Sequence, residues 1–194
     1  MPRQVWEKSL RELLTHISNS PNHPFMYDLV FDKTISPYSR YRPDVQLRRS
    51  GWNGLILIEV DEHQHKSGYY NENGRLCDLY QAAGTVPTYV IRINFDGYNA
   101  KEPVDPVTRA VDLINCICGL MIMPAAGGLH ITKLYYDGYT DVYEWETLVK
   151  VENDNQGRDL TPERIDMEGE FLTFNIIRDL TIPLPKKLYN QTRP

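Results

Sequence analysis

Cysteine is scarce in this chain: Cys77, Cys116 and Cys118 form an odd number without metal-finger spacing. This pattern disfavours a disulfide framework and favours free thiols in a reduced, intracellular protein, without distinguishing cytoplasm from nucleus. No apolar run approaches the roughly 20 residues needed to cross a bilayer. The first residues also lack the apolar stretch of a secretory signal. We therefore expect an intracellular protein without a membrane segment.

Positive charge is also in deficit, since 21 Lys and Arg against 26 Asp and Glu give a net charge of −5. Contacts from Lys and Arg to phosphate usually dominate affinity for nucleic acid, so an acidic total counts mildly against a polyanionic partner. The local distribution matters more than the sum. The segment Arg40–Arg49 contains four arginines and the single acid Asp44, whereas Asp141–Glu146 and Glu152–Asp154 are rich in acids.

The remaining composition, 41% hydrophobic and 24% charged, is that of an ordinary globular protein without internal repeats. A length of 194 residues allows one well-formed core with an appendage. Helices are predicted from Val5 to His16, from Glu72 to Ala83 and after Asp105. In the first and third, apolar residues recur at spacings of three and four. Asp105 and Pro106 supply an N-cap and a proline in the first turn of the third helix.

Strands are predicted at Tyr27–Phe31, Asp44–Leu47, Leu55–Asp61 and Thr88–Asn94. The last two are apolar runs typical of central strands that are covered on both faces. With the helix between them they form a crossover unit, which usually joins parallel strands. Gly51–Gly54 supplies a turn around which the second and third strands would pair.

The last third of the chain has a different pattern. His130–Tyr136 and Tyr139–Trp145 flank Asp137-Gly138, which is a two-residue hairpin signal. Another strand is predicted at Glu170–Ile177. This β-rich extension has no assigned role: target recognition, dimer contact and additional sheet all stay open. A homodimer is a hypothesis from the frequency of closed dimers alone.

Carboxylates cluster where the third predicted strand ends. Glu59 and Asp61 are two residues apart, so their side chains leave the same face of the strand. Buried carboxylates are costly unless something compensates them, and Mg²⁺ prefers carboxylate and water oxygens. Asp44 would supply a third carboxylate if its strand pairs with this one. The full set around this short hairpin is Asp44, Glu59, Asp61, Glu62, Gln64 and His65.

These residues resemble a known family. Arg42-Pro43-Asp44, followed by an aliphatic strand that ends in Glu59-Val60-Asp61-Glu62-His63-Gln64-His65, is similar to the PD-(D/E)xK nuclease superfamily. The nearest branch resembles very-short-patch-repair endonucleases and nuclease-like proteins of large DNA viruses, and Ile91–Tyr98 matches it as well. The resemblance covers Val5 to Tyr98. It implies an α/β, restriction-endonuclease-like core over residues 1–125, with a mixed central sheet flanked by helices, and leaves residues 126–194 as the β-rich extension.

The resemblance also implies a metal site. Its direct ligands would be Asp44 and Glu59, with the Val60 carbonyl as a third and Glu7 of the first helix beside the metal. The expected cofactor is Mg²⁺, for which Mn²⁺ would substitute. One or two ions would serve, and the sequence does not fix the number.

One position departs from the family pattern. The lysine that orients the attacking water normally stands two residues after Glu59, and here that position is Asp61. The related branch uses a downstream Gln-His pair, so Gln64 and His65 become the candidates for proton transfer, because an imidazole changes charge near neutral pH. Asp61 would orient that imidazole or hold a second cation.

Basic and aromatic residues near the cluster are candidates for binding the substrate. The candidates for phosphate contact are Arg40, Arg42, Lys66 and Arg75. Arg75 and Arg92 are equally suited to ion pairs with the acids. Tyr69, Tyr70, Tyr80 and Tyr98 would either stack on bases or pack as ordinary amphipathic residues.

These expectations favour a Mg²⁺-dependent endonuclease that acts on DNA. Two alternatives stay open. The first is a nuclease fold that has lost cleavage and serves as a nucleic-acid-binding or interaction module, which the missing lysine supports. The second is another metal-dependent hydrolase or an RNA-directed nuclease.

Overall fold

A computed structural model of the chain describes residues 5–19, 27–37, 39–61, 71–99, 104–138 and 144–150. The elements in chain order are α1 (Val5–Asn19), β1 (Tyr27–Phe31), β2 (Val45–Arg49), β3 (Leu55–Val60), α2 (Glu72–Ala82), β4 (Thr88–Ile93), α3 (Pro106–Ile122), β5 (Gly128–Leu134) and β6 (Glu146–Lys150). The six strands form one sheet in sequence order, with β3, β4 and β5 parallel and the other neighbours antiparallel. The predicted α/β class with a mixed, helix-flanked sheet is confirmed.

Two crossover units build the parallel centre of the sheet. The first is β3–α2–β4 and the second is β4–α3–β5. The predicted cap of α3 is confirmed, because the Asp105 side chain accepts hydrogen bonds from the backbone N–H groups of Val107 and Thr108. At α2 the N-cap is Asn71, which has a φ of 59° and accepts from the Gly74 N–H. Asparagine tolerates this left-handed conformation better than most residues.

The alternation of side chains along β3 separates two layers. Leu55 and Leu57 pack against the apolar side of α2 in one buried cluster. Ile56 and Ile58 belong to the cluster that contains residues of α1 and α3 on the opposite face. Because alternate residues share a face, Glu59 follows Leu57 onto the α2 side. The period of the strand therefore decides which helix the carboxylates meet.

The turn predicted at Asp137-Gly138 is present, and Gly138 has a φ of 84°. The first strand of the predicted hairpin ends as β5 at Leu134, two residues earlier than expected, and its antiparallel partner β6 starts at Glu146. Of the predicted second strand, residues 139–143 lie outside the described residues.

β5 and β6 extend the same sheet as β1–β4, although the sequence analysis assigned both to the C-terminal extension. The strand predicted at Glu170–Ile177 lies outside the described residues, and the division of the chain at residue 125 stays a prediction. No helix among the residues that the structure describes is long and apolar enough to span a membrane.

Candidate functional site

Asp44 joins the end of β3 through a side-chain hydrogen bond. β2 and β3 pair with Val45 opposite Ile58, so Asp44, one residue before β2, comes beside Glu59. The Asp44 Oδ2 accepts a hydrogen bond of 2.7 Å from the Val60 N–H. Burial raises the pKa of Asp44; the Val60 hydrogen bond offsets part of this rise, and the nearby Asp61 adds to it. The side chain of Asp44 is therefore attached to the end of β3, beside the strand position of Glu59.

The Val60 carbonyl lies on the same side as Asp44. In an extended strand the N–H and C=O of one residue point to the same neighbour. The Val60 N–H points to Asp44, while the next N–H, of Asp61, donates in the opposite direction to the Ile93 carbonyl at 2.8 Å. Asp44 and the Val60 backbone thus present oxygen atoms to one side of β3.

Glu59 is a buried carboxylate, 5% exposed, on the α2 face. Its Oε1 accepts a hydrogen bond from Arg75 Nη1 at 3.0 Å. Burial raises the pKa of Glu59 to about 7; Arg75 lowers it, and the charge of Asp44 raises it. The carboxylate therefore changes charge near neutral pH, because one guanidinium does not compensate for its burial.

Asp61, two residues after Glu59, is 1% exposed. Its Oδ2 accepts hydrogen bonds from Arg92 Nε and from the Tyr136 hydroxyl. Arg92 is itself buried and lies opposite Glu59 in the parallel register of β4 and β3. A buried anion at position 61 is thus matched by a cation from the neighbouring strand.

Glu72 links the two arginines. Its Oε1 accepts hydrogen bonds from Arg75 Nη2 at 3.0 Å and from Arg92 Nη1 at 3.1 Å. The carboxylates around the arginines outweigh the cost of burial and raise the pKa of both guanidiniums. Sequence reasoning missed Glu72 and Tyr136 as members of this network. An acid in the first turn of the crossover helix after β3 was the available signal for Glu72.

Among the described residues, the site contains more carboxylates than guanidiniums. Its members are the carboxylates Asp44, Glu59, Asp61 and Glu72 and the guanidiniums Arg75 and Arg92. With every group ionised, four anions face two cations. Burial is the main cause of the raised pKa of Asp44 and of Glu59, and the neighbouring carboxylates add to it.

The oxygen donors suit a hard divalent ion that takes only a few ligands from the protein. Among the described residues, no group of three or more His, Cys, Asp or Glu is arranged to hold a metal ion. Mg²⁺, however, keeps several waters and usually takes only one or two carboxylates from the protein. Asp44, Glu59 and the Val60 carbonyl provide that kind of oxygen set, although Arg75 engages one oxygen of Glu59.

Glu7 lies in the first turn of α1. Its neighbour Trp6 stacks on Phe95, which follows β4, with ring centroids 5.3 Å apart. This contact puts the start of α1 beside the segment that leaves the C-terminal end of β4. However, α1 packs on the face opposite to α2, and Glu7 forms no three-acid group with Asp44 and Glu59 within the described part of the chain. Its role as a ligand stays a prediction.

The predicted phosphate-binding residues lie in different environments. Arg42 has a side chain that is 61% exposed, with Asp32 at 3.9 Å. Arg40 covers the Tyr41 ring at 5.0 Å and borders a groove of about 530 Å³ between its loop and the C-terminal half of α2. Arg75 is buried between Glu59 and Glu72, which favours its ion-pairing role over phosphate contact.

The predicted proton-transfer residues Gln64 and His65, together with Lys66, lie outside the described residues, and so do Tyr69 and Tyr70. Of the other tyrosines considered for stacking on bases, Tyr80 is buried in the α2 cluster and Tyr98 packs edge-on against Tyr135. Both serve as packing residues.

No family model matches this chain, and neither a curated protein nor a solved structure matches it.

Proposed function

We propose that this chain is a Mg²⁺-dependent endonuclease that hydrolyses phosphodiester bonds in DNA, built on a restriction-endonuclease-like core with a C-terminal extension. The observation that carries the proposal is the convergence of Asp44 and Glu59. Asp44 accepts a hydrogen bond from the Val60 N–H at 2.7 Å, and its charge adds to the rise in the pKa of Glu59 that burial causes. Two adjacent carboxylates that repel each other at the end of a central strand are suited to share a cation.

Asp44, Glu59 and the Val60 carbonyl would hold the ion. A bound divalent metal supplies charge neutralisation at a scissile phosphate and lowers the pKa of a coordinated water. Arg75 fixes the orientation of Glu59 through its hydrogen bond at 3.0 Å. Arg92 and Tyr136 both donate hydrogen bonds to the Oδ2 of Asp61, so we do not assign Asp61 as a ligand of the ion. Because Asp61 is held in this way, we assign proton transfer to Gln64 and His65.

One observation favours the alternative of a binding module that does not cut. The ion pair between Arg75 and Glu59 already gives Glu59 a cation within the protein, at 3.0 Å. A nuclease fold that had lost its metal could retain such a pair as a structural element. The excess charge still weighs towards a metal ion, since Arg75 is shared with Glu72.

Cleavage of supercoiled and linear DNA with Mg²⁺ or Mn²⁺ tests the proposal. We expect the wild-type chain to nick or linearise DNA. Asp44→Asn and Glu59→Gln should each lose the activity by a factor of at least about 100, because a bound metal contributes several kcal/mol of charge stabilisation and each variant removes a ligand charge. A matched control is Asp28→Asn, an exposed acid on β1, which should cut like wild type. A folded wild-type chain that cuts nothing, or an active Glu59→Gln, contradicts the endonuclease function. Cleavage of RNA alone would favour the RNA-directed alternative.

A further inference from the structure

A row of three side chains crosses the parallel centre of the sheet. Glu59 of β3 lies opposite Arg92 of β4, and Arg92 lies opposite Lys133 of β5. In the same registers the preceding row is formed by Leu57, Val90 and Ile131, and all three belong to the apolar cluster under α2. Because residues two apart share a face, Lys133 projects from the same face as Glu59 and Arg92.

Lys133 differs from Arg92 in its environment. Arg92 is buried and bound by Asp61 and Glu72. Lys133 is exposed, and no carboxylate within the described ranges lies at ion-pair distance from its ammonium group. Its Nζ lies 6.0 Å from the centroid of the Tyr136 ring.

Tyr136 connects Lys133 to the carboxylates, because the hydroxyl of the same ring donates to Asp61. The ammonium group therefore lies beside the site, on an exposed side chain.

The site thus has exposed cations on two opposite sides. On the β2 side is Arg42, two residues before Asp44; unlike Arg92 it is 61% exposed, and its ion pair with Asp32, at 3.9 Å, lies at the surface. On the β5 side is Lys133. Three steps between neighbouring strands separate β2 from β5, about 14 Å at 4.7–4.9 Å a step. Phosphates follow one another roughly every 3.4 Å along the axis of each DNA strand, so this span covers about four of them.

We propose that the phosphodiester backbone of the substrate crosses the end of the sheet from β2 to β5, with Lys133 binding a phosphate on the side opposite to Arg42. The inference rests on the proposed function and deepens it, because it assigns a direction to the bound strand. The carboxylates repel phosphate, so a polyanion that reaches them needs cations on both sides. Arg92 does not serve this purpose, since its charge is used inside the ion-pair network.

The test uses Lys133→Gln, with Lys150→Gln as the matched control. Lys150 is also an exposed strand lysine, but it pairs with Gly128 at the other end of β5. Affinity for labelled duplex DNA is measured by fluorescence anisotropy over a range of salt concentrations. We expect Lys133→Gln to weaken binding several-fold and to reduce the slope of log K against log salt by about 0.9, the effect of one phosphate contact on duplex DNA. Lys133→Arg should restore the slope, and Lys150→Gln should keep it.

The outcomes separate the two proposals. If the wild-type chain binds DNA and Lys133→Gln keeps its affinity and its slope, the assignment of Lys133 is wrong while the nuclease proposal stands. If the chain binds without cutting and the slope depends on Lys133, the endonuclease function fails and the binding path is supported. If the wild-type chain binds no DNA, both are overturned.

Discussion

Asp44 and Val60 are joined by a hydrogen bond of 2.7 Å from the Val60 N–H to the Asp44 carboxylate. The bond fixes the residue before β2 against the last residue of β3. It also keeps the Asp44 charge close to Glu59, whose pKa is about 7. The same contact therefore connects the start of β2 to the end of β3 and places the Asp44 carboxylate beside Glu59.

Replacing Asp44 separates these two effects. Asp44→Ala removes the acceptor of the Val60 N–H, so we expect a loss of about 1–3 kcal/mol in the free energy of unfolding. Asp44→Asn keeps a carbonyl acceptor and should lose less than Asp44→Ala in stability, but it should lose divalent-ion binding as fully. Urea unfolding and a metal titration of both variants provide the check. Equal stability of the two variants would show that the hydrogen bond is unimportant.

Glu59 should make stability depend on pH in a defined direction. Its pKa is raised from 4.5 to about 7, so the folded chain holds more protons than the unfolded chain between these values. The free energy of unfolding therefore falls as the pH rises through this window, by up to ~3 kcal/mol from this group.

Glu59→Gln, whose side chain is always neutral, should abolish this decrease in the free energy of unfolding with rising pH. The variant should be more stable than the metal-free wild-type chain at pH 8 and close to it at pH 5. Urea unfolding at both pH values measures the difference. If Glu59→Gln is the less stable protein at pH 8, the ion pair with Arg75 stabilises the charged Glu59 by more than the burial of its charge costs.

Arg75→Met should be strongly destabilising, because it leaves Glu59 without its buried cation and leaves Glu72 with Arg92 alone. Removing one partner of a buried ion pair costs about 3–5 kcal/mol. Mg²⁺ should recover part of this loss, since a bound cation would neutralise Glu59 in place of the guanidinium. Arg11→Met is the control, because Arg11 is an exposed arginine that covers the Phe31 ring outside the site. Thermal unfolding with and without Mg²⁺ tests this, and an absence of any metal effect on Arg75→Met would count against a cation beside Glu59.

Tyr136→Phe removes one hydrogen bond from Asp61 and leaves the Arg92 contact. We expect a loss of about 1–3 kcal/mol in stability, since the acceptor is a buried carboxylate. Tyr80→Phe removes a hydrogen bond of 3.2 Å to the neutral Thr85 carbonyl, outside the site, and should cost less and leave cleavage unchanged. A Tyr136→Phe chain that cuts faster or slower at unchanged stability would mean that Asp61 takes part in the reaction beyond its ion pair.

Local patterns predicted much of the architecture. The apolar runs at Leu55–Val60 and Thr88–Ile93 are the central parallel strands. The turn after β2 makes β2 and β3 antiparallel neighbours, which is the arrangement that brings Asp44 beside the end of β3. Helix bounds differ by a few residues: α1 continues to Asn19 and α2 ends at Ala82. Strand period alone was enough to place Glu59 and Asp61 on one face.

The network around the carboxylates was harder to predict. Tyr136 meets Asp61 across 75 positions of sequence, and Glu72 meets Arg92 across 20. Such contacts depend on the order of strands in the sheet and on where a crossover helix begins, and neither is encoded in short spacing. The sequence also did not indicate β6, which pairs with β5 and starts at Glu146, one residue after the strand predicted from Tyr139 to Trp145.

Binding of Mn²⁺ measured by electron paramagnetic resonance at pH 8 tests the central claim most directly, because Mn²⁺ takes the place of Mg²⁺ and its free and bound forms are distinguished. We predict that the wild-type chain binds one or two ions and that Glu59→Gln and Asp44→Asn abolish that binding, while Asp28→Asn retains it. A wild-type chain that leaves Mn²⁺ free, or a Glu59→Gln chain that binds it equally well, would contradict the metal site at Asp44 and Glu59.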